Sequence, residues 1–151
     1  MKRFIISHTG LYRWCAMSKL LKQRLAGIFL QAYKLSGFQV KKITQPQDLD
    51  NLKTIAIFST TALGDFMFNT PAIVAIKKRY PLSKIIMVVH KRNALLVEGS
   101  DMFDDILYWD GKANDVFSLA RKLRDKKVDA TFIIHSRSPY DIVVATLAHS
   151  N

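Results

Sequence analysis

The chain has 151 residues, 49% of them hydrophobic and 23% charged, with a formal net charge of +11. That length fits one domain, and the apolar share is enough to offset the ordering entropy of folding, which excludes a disordered chain. Cys15 is the sole cysteine, so no intrachain disulfide forms and a reducing compartment fits; His8, His90, His135 and His149 are too scattered to suggest a metal site.

Residues 1–42 hold nine basic residues and no acid, which leaves fourteen basic and twelve acidic residues for the remainder. The basic excess is therefore a property of an N-terminal arm and not of a binding face spread over the fold. No DNA- or RNA-binding motif accompanies it, and nucleic acid is not the expected partner. Within the arm, residues 11–35 predict an amphipathic helix. Trp14, Met17, Leu21, Leu25, Ile28, Ala32 and Leu35 recur at steps of three and four and share one face. Arg13, Lys22 and Arg24 border that face, and Gly37 is the expected stop. The longest apolar run, residues 25–30, is far below the ~20 residues that span a bilayer. A cleaved signal peptide also matches poorly, because basic residues continue through the segment. Two readings compete for the arm. In one, the helix lies on an anionic membrane surface, with Trp14 and the leucines in the interface and Arg13, Lys22 and Arg24 near headgroups. In the other, it packs its stripe onto the domain. Gln45, Pro46, Gln47 and Asp48 read as a linker, so residues 1–50 form arm and linker and 51–151 the globular part.

From residue 53 strands and helices alternate. TIAIFS (54–59) is a short apolar, β-branched strand, followed by the loop Ser59, Thr60, Thr61, Ala62, Leu63, Gly64, Asp65 and a helix to about Arg79. Either Thr70 caps that helix with Pro71 at its first position, or the helix starts near Asp65 and bends at Pro71. KIIMVVH (84–90) is the second strand, 93–98 a short helix, DILYW (105–109) the third strand and 116–127 a basic-faced helix. DATFIIH (129–135) and a helix over 140–149 complete the series. Continuously apolar strands alternating with helices predict a Rossmann-like, doubly wound parallel sheet with helices on both faces. In a 3-2-1-4 strand order, ligands bind beyond the carboxyl ends of the strands at the switch point beside strand one.

The loop at that point lacks both G-x-G-x-x-G and the Walker lysine, so neither a dinucleotide nor a P-loop site is indicated. Gly64 permits close backbone approach or positive φ, and free N–H groups at the helix start favour an anion. Asp65 has a purely structural reading, in which it caps the helix or complements its dipole. The fourth strand, as neighbour of the first, brings His135, Ser136 and Arg137 to the same crevice. Arg137 reads equally as an anion clamp or a solvated loop cation, and His135 as a strand-end residue. Lys91 and Arg92 end the second strand and either extend an anionic-acceptor surface or are plain exposed cations.

The segment IAIFSTTALGDFMFNTPAIVAIKKRYP (55–81) resembles the opening of glycosyltransferase family 9, the ADP-heptose:lipopolysaccharide heptosyltransferases. It shares a strand, a Ser/Thr-rich loop ending in Gly-Asp, a Thr-Pro-Ala helix and a basic end before Pro. The likeness continues through KIIMVVH, MFDDILYWD and VDATFIIHSRSPYDIVVATLAHSN, covering about residues 53–151. It implies an inverting transfer of heptose from ADP-heptose to the lipopolysaccharide inner core, by a GT-B-type enzyme at the cytoplasmic side or periphery of the bacterial inner membrane. Asp65 then stands where the family's general base stands. Thr60, Thr61, Gly64, Lys91, Arg92 and Arg137 fall where an anionic glycan acceptor, such as a lipopolysaccharide precursor, is bound. No cofactor or metal is implied beyond the donor sugar nucleotide.

The chain also departs from the family. About fifty residues precede the first strand, and the resemblance covers only part of an acceptor-side first domain. The expectation is a truncated first domain whose donor-binding second domain is absent or supplied by a separate subunit, inactive by itself. The alternatives are a non-catalytic remnant or membrane-surface module, and an unrelated small-molecule-binding Rossmann domain.

Overall fold

The computed structural model describes residues 9–36, 49–136 and 138–149; in the first stretch the helical path is described throughout, and the side chains from Leu20 onward, Lys22 apart. The chain divides into two compact units, Met1–Gly37 and Phe38–Asn151.

The described part of the first unit contains one helix, α1 (Thr9–Leu35), of 27 residues and so about 40 Å long. Lys34 stands in its last turn, where a cation complements the carbonyl end of the helix dipole. Ser36 closes that turn, its N–H donating to the Ala32 carbonyl (3.0 Å) and its hydroxyl to the Tyr33 carbonyl (2.7 Å). Phe29 and Tyr33, one turn apart, stack at 6.3 Å between ring centroids. Of the predicted stripe, Leu21, Leu25, Ile28, Ala32 and Leu35 are exposed. The side chains of Arg13, Trp14, Met17 and Lys22, the linker 45–48 and Gly37 lie outside the described residues. Among the described residues no helix is long and apolar enough to cross a membrane.

The second unit is a Rossmann-like α/β fold. Its elements are β1 (Thr54–Ser59), α2 (Leu63–Arg79), β2 (Lys84–Val89), α3 (Ala94–Val97), β3 (Asp105–Tyr108), α4 (Val116–Asp125), β4 (Ala130–His135) and α5 (Tyr140–Ala148). The four strands are parallel in the order β3-β2-β1-β4, the 3-2-1-4 order that the alternation predicts. The third strand ends one residue before the sequence pattern does. Tyr108 opposite Val89 is the last β2–β3 pair, so Trp109 lies past the end of β2.

β1 is central and buried at every position, because both of its faces are covered. Ile55 and Ile57 pack with Ile85, Met87 and Val89 of β2 against Phe66 and Ile73 of α2. The alternate residues Ala56, Phe58, Ile86 and Val88 are equally buried and point to the opposite face. That face belongs to α4 and α5, which pack on each other. A right-handed crossover from β3 at one edge to β4 at the other carries α4 across it. Burying each large aliphatic or aromatic side chain of β1 contributes roughly 1.5–3 kcal/mol.

α2 runs unbroken through Pro71, so the helix begins at Leu63 and Thr70 is not its cap. The proline ring removes the N–H that would bond the Met67 carbonyl. Met67 is exposed, so water can serve that carbonyl, while the Thr70 hydroxyl donates to the Phe66 carbonyl (3.4 Å).

Acidic side chains fasten the amino ends of the strands. Asp129 Oδ2 accepts from the N–H groups of Lys53 (2.8 Å) and Thr54 (2.9 Å), and Asp104 Oδ2 accepts from Ile85 N–H (2.7 Å).

Candidate functional site

The carboxyl ends of β1 and β4 meet at the point where the connections diverge to opposite faces. The last pairing there is irregular: Phe58 opposes Ile133 but Ser59 opposes His135, so Ile134 is an extra residue on β4. Such a bulge re-aims the end of a strand. His135 is exposed and its carbonyl accepts from Thr60 N–H (3.4 Å), a strand-end role.

Thr60 and Thr61 are buried. The Thr60 hydroxyl donates to Asp141 Oδ2 (2.7 Å), and the Thr61 carbonyl accepts from Asn93 Nδ2 (3.1 Å). These residues therefore form the floor of the crevice, with their polar groups turned into the protein. The chain then enters α2 at Ala62, whose side chain cannot cap it. The first helical bond is Phe66 N–H to the Ala62 carbonyl (3.0 Å), which leaves the N–H groups of Leu63, Gly64 and Asp65 without helical acceptors. Three free donors at the positive end of a 17-residue helix favour an anion or a developing negative charge.

Gly64 adopts no positive φ, contrary to one of its two sequence readings. Helical entry at Leu63 already fixes its backbone in the ordinary region. A Cβ built there meets nothing within 4 Å, so the space before it is open, in keeping with the other reading, close approach. Asp65 stands in the first turn of α2, partly exposed, and among the described residues no hydrogen bond or ion pair engages its carboxylate. It is not the N-cap. Its position suits dipole stabilisation and leaves it open to a ligand.

The bond from Asn93 to Thr61 brings the 3₁₀ turn Lys91–Asn93 against this loop, so the exposed Lys91 and Arg92 border it. Arg137 lies outside the described residues, as do the side chains of Arg13, Trp14 and Lys22; Arg24 is an exposed residue of α1. A depression of about 240 Å³ lies beyond β3, lined by Lys91, Tyr108, Trp109, Asp110, Asp115 and Lys122 among others. It is displaced from the β1–β4 switch point and shares only Lys91 with the residues singled out above. The open helix end and the unengaged carboxylate are at the switch point, not in this depression.

Asp141 and Asn93 are the site residues that sequence reasoning missed. Asp141, fully buried at the start of α5, accepts from Thr60 Oγ1, from Ser136 Oγ (2.6 Å) and from Trp109 Nε1 (2.5 Å). One carboxylate thus joins the carboxyl ends of β1, β3 and β4. The available signal was a lone acid in the otherwise apolar or small run YDIVVATLA, which must either face solvent or find buried donors. Asn93 is buried as well, tying the second βα loop to the first.

By its sheet order and crossovers the second unit is a Rossmann-like α/β fold, a class that binds ligands beyond the carboxyl ends of its strands. It is similar to a solved structure, the glycosyl transferase family 9 protein from Veillonella parvula DSM 2008. The TM-score is 0.53, with 21% sequence identity over 63% of this chain and 29% of that one. At that identity the likeness shows a shared fold. The chain spans less than a third of that protein's length. No protein-family model matches the chain, and no curated protein matches it in sequence.

Proposed function

We propose that the globular unit is the acceptor-side part of an inverting glycosyltransferase, with Asp65 as its general base. The observation that carries this is Asp65 itself, a carboxylate without a described partner, in the first turn of α2 beyond the central strand and beside an open backbone at Gly64. Inversion at an anomeric carbon needs one group to take the proton of the attacking acceptor hydroxyl, and such a group contributes about 10²–10⁴-fold. The fold shared with a glycosyl transferase family 9 protein supports the reading.

Within it, the donor is ADP-heptose, and the acceptor is a lipopolysaccharide precursor or another anionic glycan. Lys91, Arg92 and Arg137 meet acceptor anions, and Thr60 and Thr61 shape the floor beneath them. The donor site is supplied by a further domain or a separate subunit, the unit 51–151 being acceptor-side. The basic α1, with its exposed leucines and Arg24, serves as an arm at the inner face of the cytoplasmic membrane.

The test is transfer of labelled heptose from ADP-heptose to heptose-deficient lipopolysaccharide. It compares this chain with a form carrying whatever coding sequence continues it, each as wild type and Asp65→Asn. Activity in the continued form that disappears with Asp65→Asn supports the reading. Activity that survives Asp65→Asn removes Asp65 from the chemistry, and silence in both folded forms removes heptose transfer.

A further inference from the structure

The carboxyl edge of the sheet exposes apolar side chains that the core does not use. The turn Lys91–Asn93 leads directly into α3, a single turn that buries Val97 while leaving Leu95 91% and Leu96 40% exposed. α2, in contact with that turn, exposes Leu63 at the same edge and, one helical turn on, Met67. Scattered exposed leucines need no explanation, but clustered ones mark a surface that meets something. Exposed cations accompany them: Lys91 and Arg92 precede the two leucines, and no acid occurs between residues 84 and 97. Four acids lie nearby: Asp65 on α2, Glu98, which holds the Tyr108 hydroxyl, and Asp110 and Asp115, which line the depression beside Lys91, Asp110 being paired with Lys112.

The turn that carries these residues is fixed. Arg92 N–H donates to His90 Nδ1 (3.1 Å), Asn93 N–H to the His90 carbonyl (2.8 Å), and the buried Asn93 amide to the Thr61 carbonyl. The cations and leucines therefore project from a preorganised scaffold and lose little freedom on binding.

We infer that this edge docks on an anionic lipid bilayer, with Leu95 and Leu96 entering the interfacial zone, Leu63 beside them, and Lys91 and Arg92 at the headgroup phosphates. Cations beside exposed leucines are the complement of a surface that is anionic outside and apolar just beneath. This docking surface belongs to the second unit and draws on no residue of α1, and it stands whether or not Asp65 is a base. If both hold, Lys91 and Arg92 stand where headgroup and acceptor anions adjoin, and docking carries the mouth of the candidate site to the membrane, where a lipid-anchored acceptor resides.

The test uses the full chain with Cys15→Ser and an environment-sensitive fluorophore on Leu95→Cys. Vesicles are made of phosphatidylcholine with phosphatidylglycerol, or of phosphatidylcholine alone. The expected result is a blue shift on the mixed vesicles and quenching by a bilayer-embedded quencher. The same label on Leu82→Cys should keep its aqueous spectrum, since Leu82 is 98% exposed but precedes β2 at the opposite edge of the sheet. A label at 95 that stays aqueous on vesicle-bound chain overturns the proposal, because α1 alone would then be the anchor. Labels at 95 and 82 that respond alike overturn it too. Partitioning gives an independent readout. Each of Leu95→Ser and Leu96→Ser should weaken binding about tenfold, and each of Lys91→Ser and Arg92→Ser about fivefold, the more so at low salt. Leu82→Ser should leave binding unchanged. Undiminished binding of the double leucine variant defeats the docking surface.

Discussion

At the amino ends of the strands, Asp129 and Asp104 accept hydrogen bonds from main-chain N–H groups and hold neighbouring segments in register. At the carboxyl ends, Asp141 accepts from three side chains, and Asp65, a few residues from one of them, accepts from none among the described residues. The four acids share one chemistry and differ in what surrounds them. Where the hydrogen-bond donors are main-chain N–H groups, a carboxylate is a staple, even with Lys77 3.8 Å from Asp104; where it is buried among side-chain donors, it is a frame for the loops. A carboxylate beside a helix end with open N–H groups and an unfilled glycine surface is left available for a ligand. The contrast makes the free acid interpretable, because the frame beneath it fixes where it stands.

The largest expected effect tests the free acid. Asp65→Asn should lower transfer by about 10²–10⁴-fold in a form competent for it. Its unfolding free energy should change by no more than about 1 kcal/mol, the scale of a helix-dipole interaction. A large loss of stability instead would make Asp65 a structural residue and erase the contrast. Asp141→Ala should show the inverse pattern. It strands the Thr60, Ser136 and Trp109 donors, at a cost of about 3 kcal/mol or more in urea unfolding, with a change in tryptophan fluorescence as the indole loses its acceptor. At the other end, Asp129→Ala should cost about 1–2 kcal/mol and leave ligand binding at the switch point unaltered, since water can reach the exposed N–H of Lys53. Gly64→Ala sharpens the comparison from the ligand side. It should stabilise α2 by about 0.4–1 kcal/mol, because the added methyl meets nothing and the unfolded chain loses freedom. If transfer nevertheless falls, the open space over residue 64 belongs to a substrate.

The smallest effect is a pH dependence. Burial holds the His149 imidazole below its ordinary pKa of 6.5, partly opposed by the charge of Asp129. The unfolded chain therefore binds this proton more readily than the folded one. The stability due to neutral His149 is complete above about pH 6.5 and is lost as pH falls from there towards the folded value. Urea midpoints measured at neutral and mildly acidic pH should fall less for His149→Gln than for the natural chain. An equal fall in both would assign the acid sensitivity to other groups.

The sheet was legible in the sequence because its signal is local. TIAIFS, KIIMVVH and DATFIIH are each apolar on both faces, and that is what a strand covered by helices on both sides needs. Parallel pairing and right-handed crossovers then leave few strand orders, and 3-2-1-4 is the one observed. The path of α2 through Pro71 was ambiguous, because the deciding factor is whether water reaches the Met67 carbonyl, which depends on burial and not on propensity. Asp65 could be singled out from Gly-Asp after a strand, but its lack of a described partner could not. The frame was hidden for a different reason: the donors to Asp141 come from 5, 32 and 81 residues away. Sequence spacing encodes helix and strand periods; it does not encode which distant side chains converge on one buried oxygen.

The central position of β1 also has a consequence for the order in which the chain is made. β2 follows β1 closely and can pair with it early, but the other flank of β1 waits for β4, about 75 residues later. At synthesis rates of about 5–20 residues per second, that flank stays open for roughly 4–15 s, during which a largely apolar strand offers an unpaired ladder. The nascent chain is thus most exposed to misassociation before residues 130–135 emerge, and it is in that interval that a chaperone has most to protect.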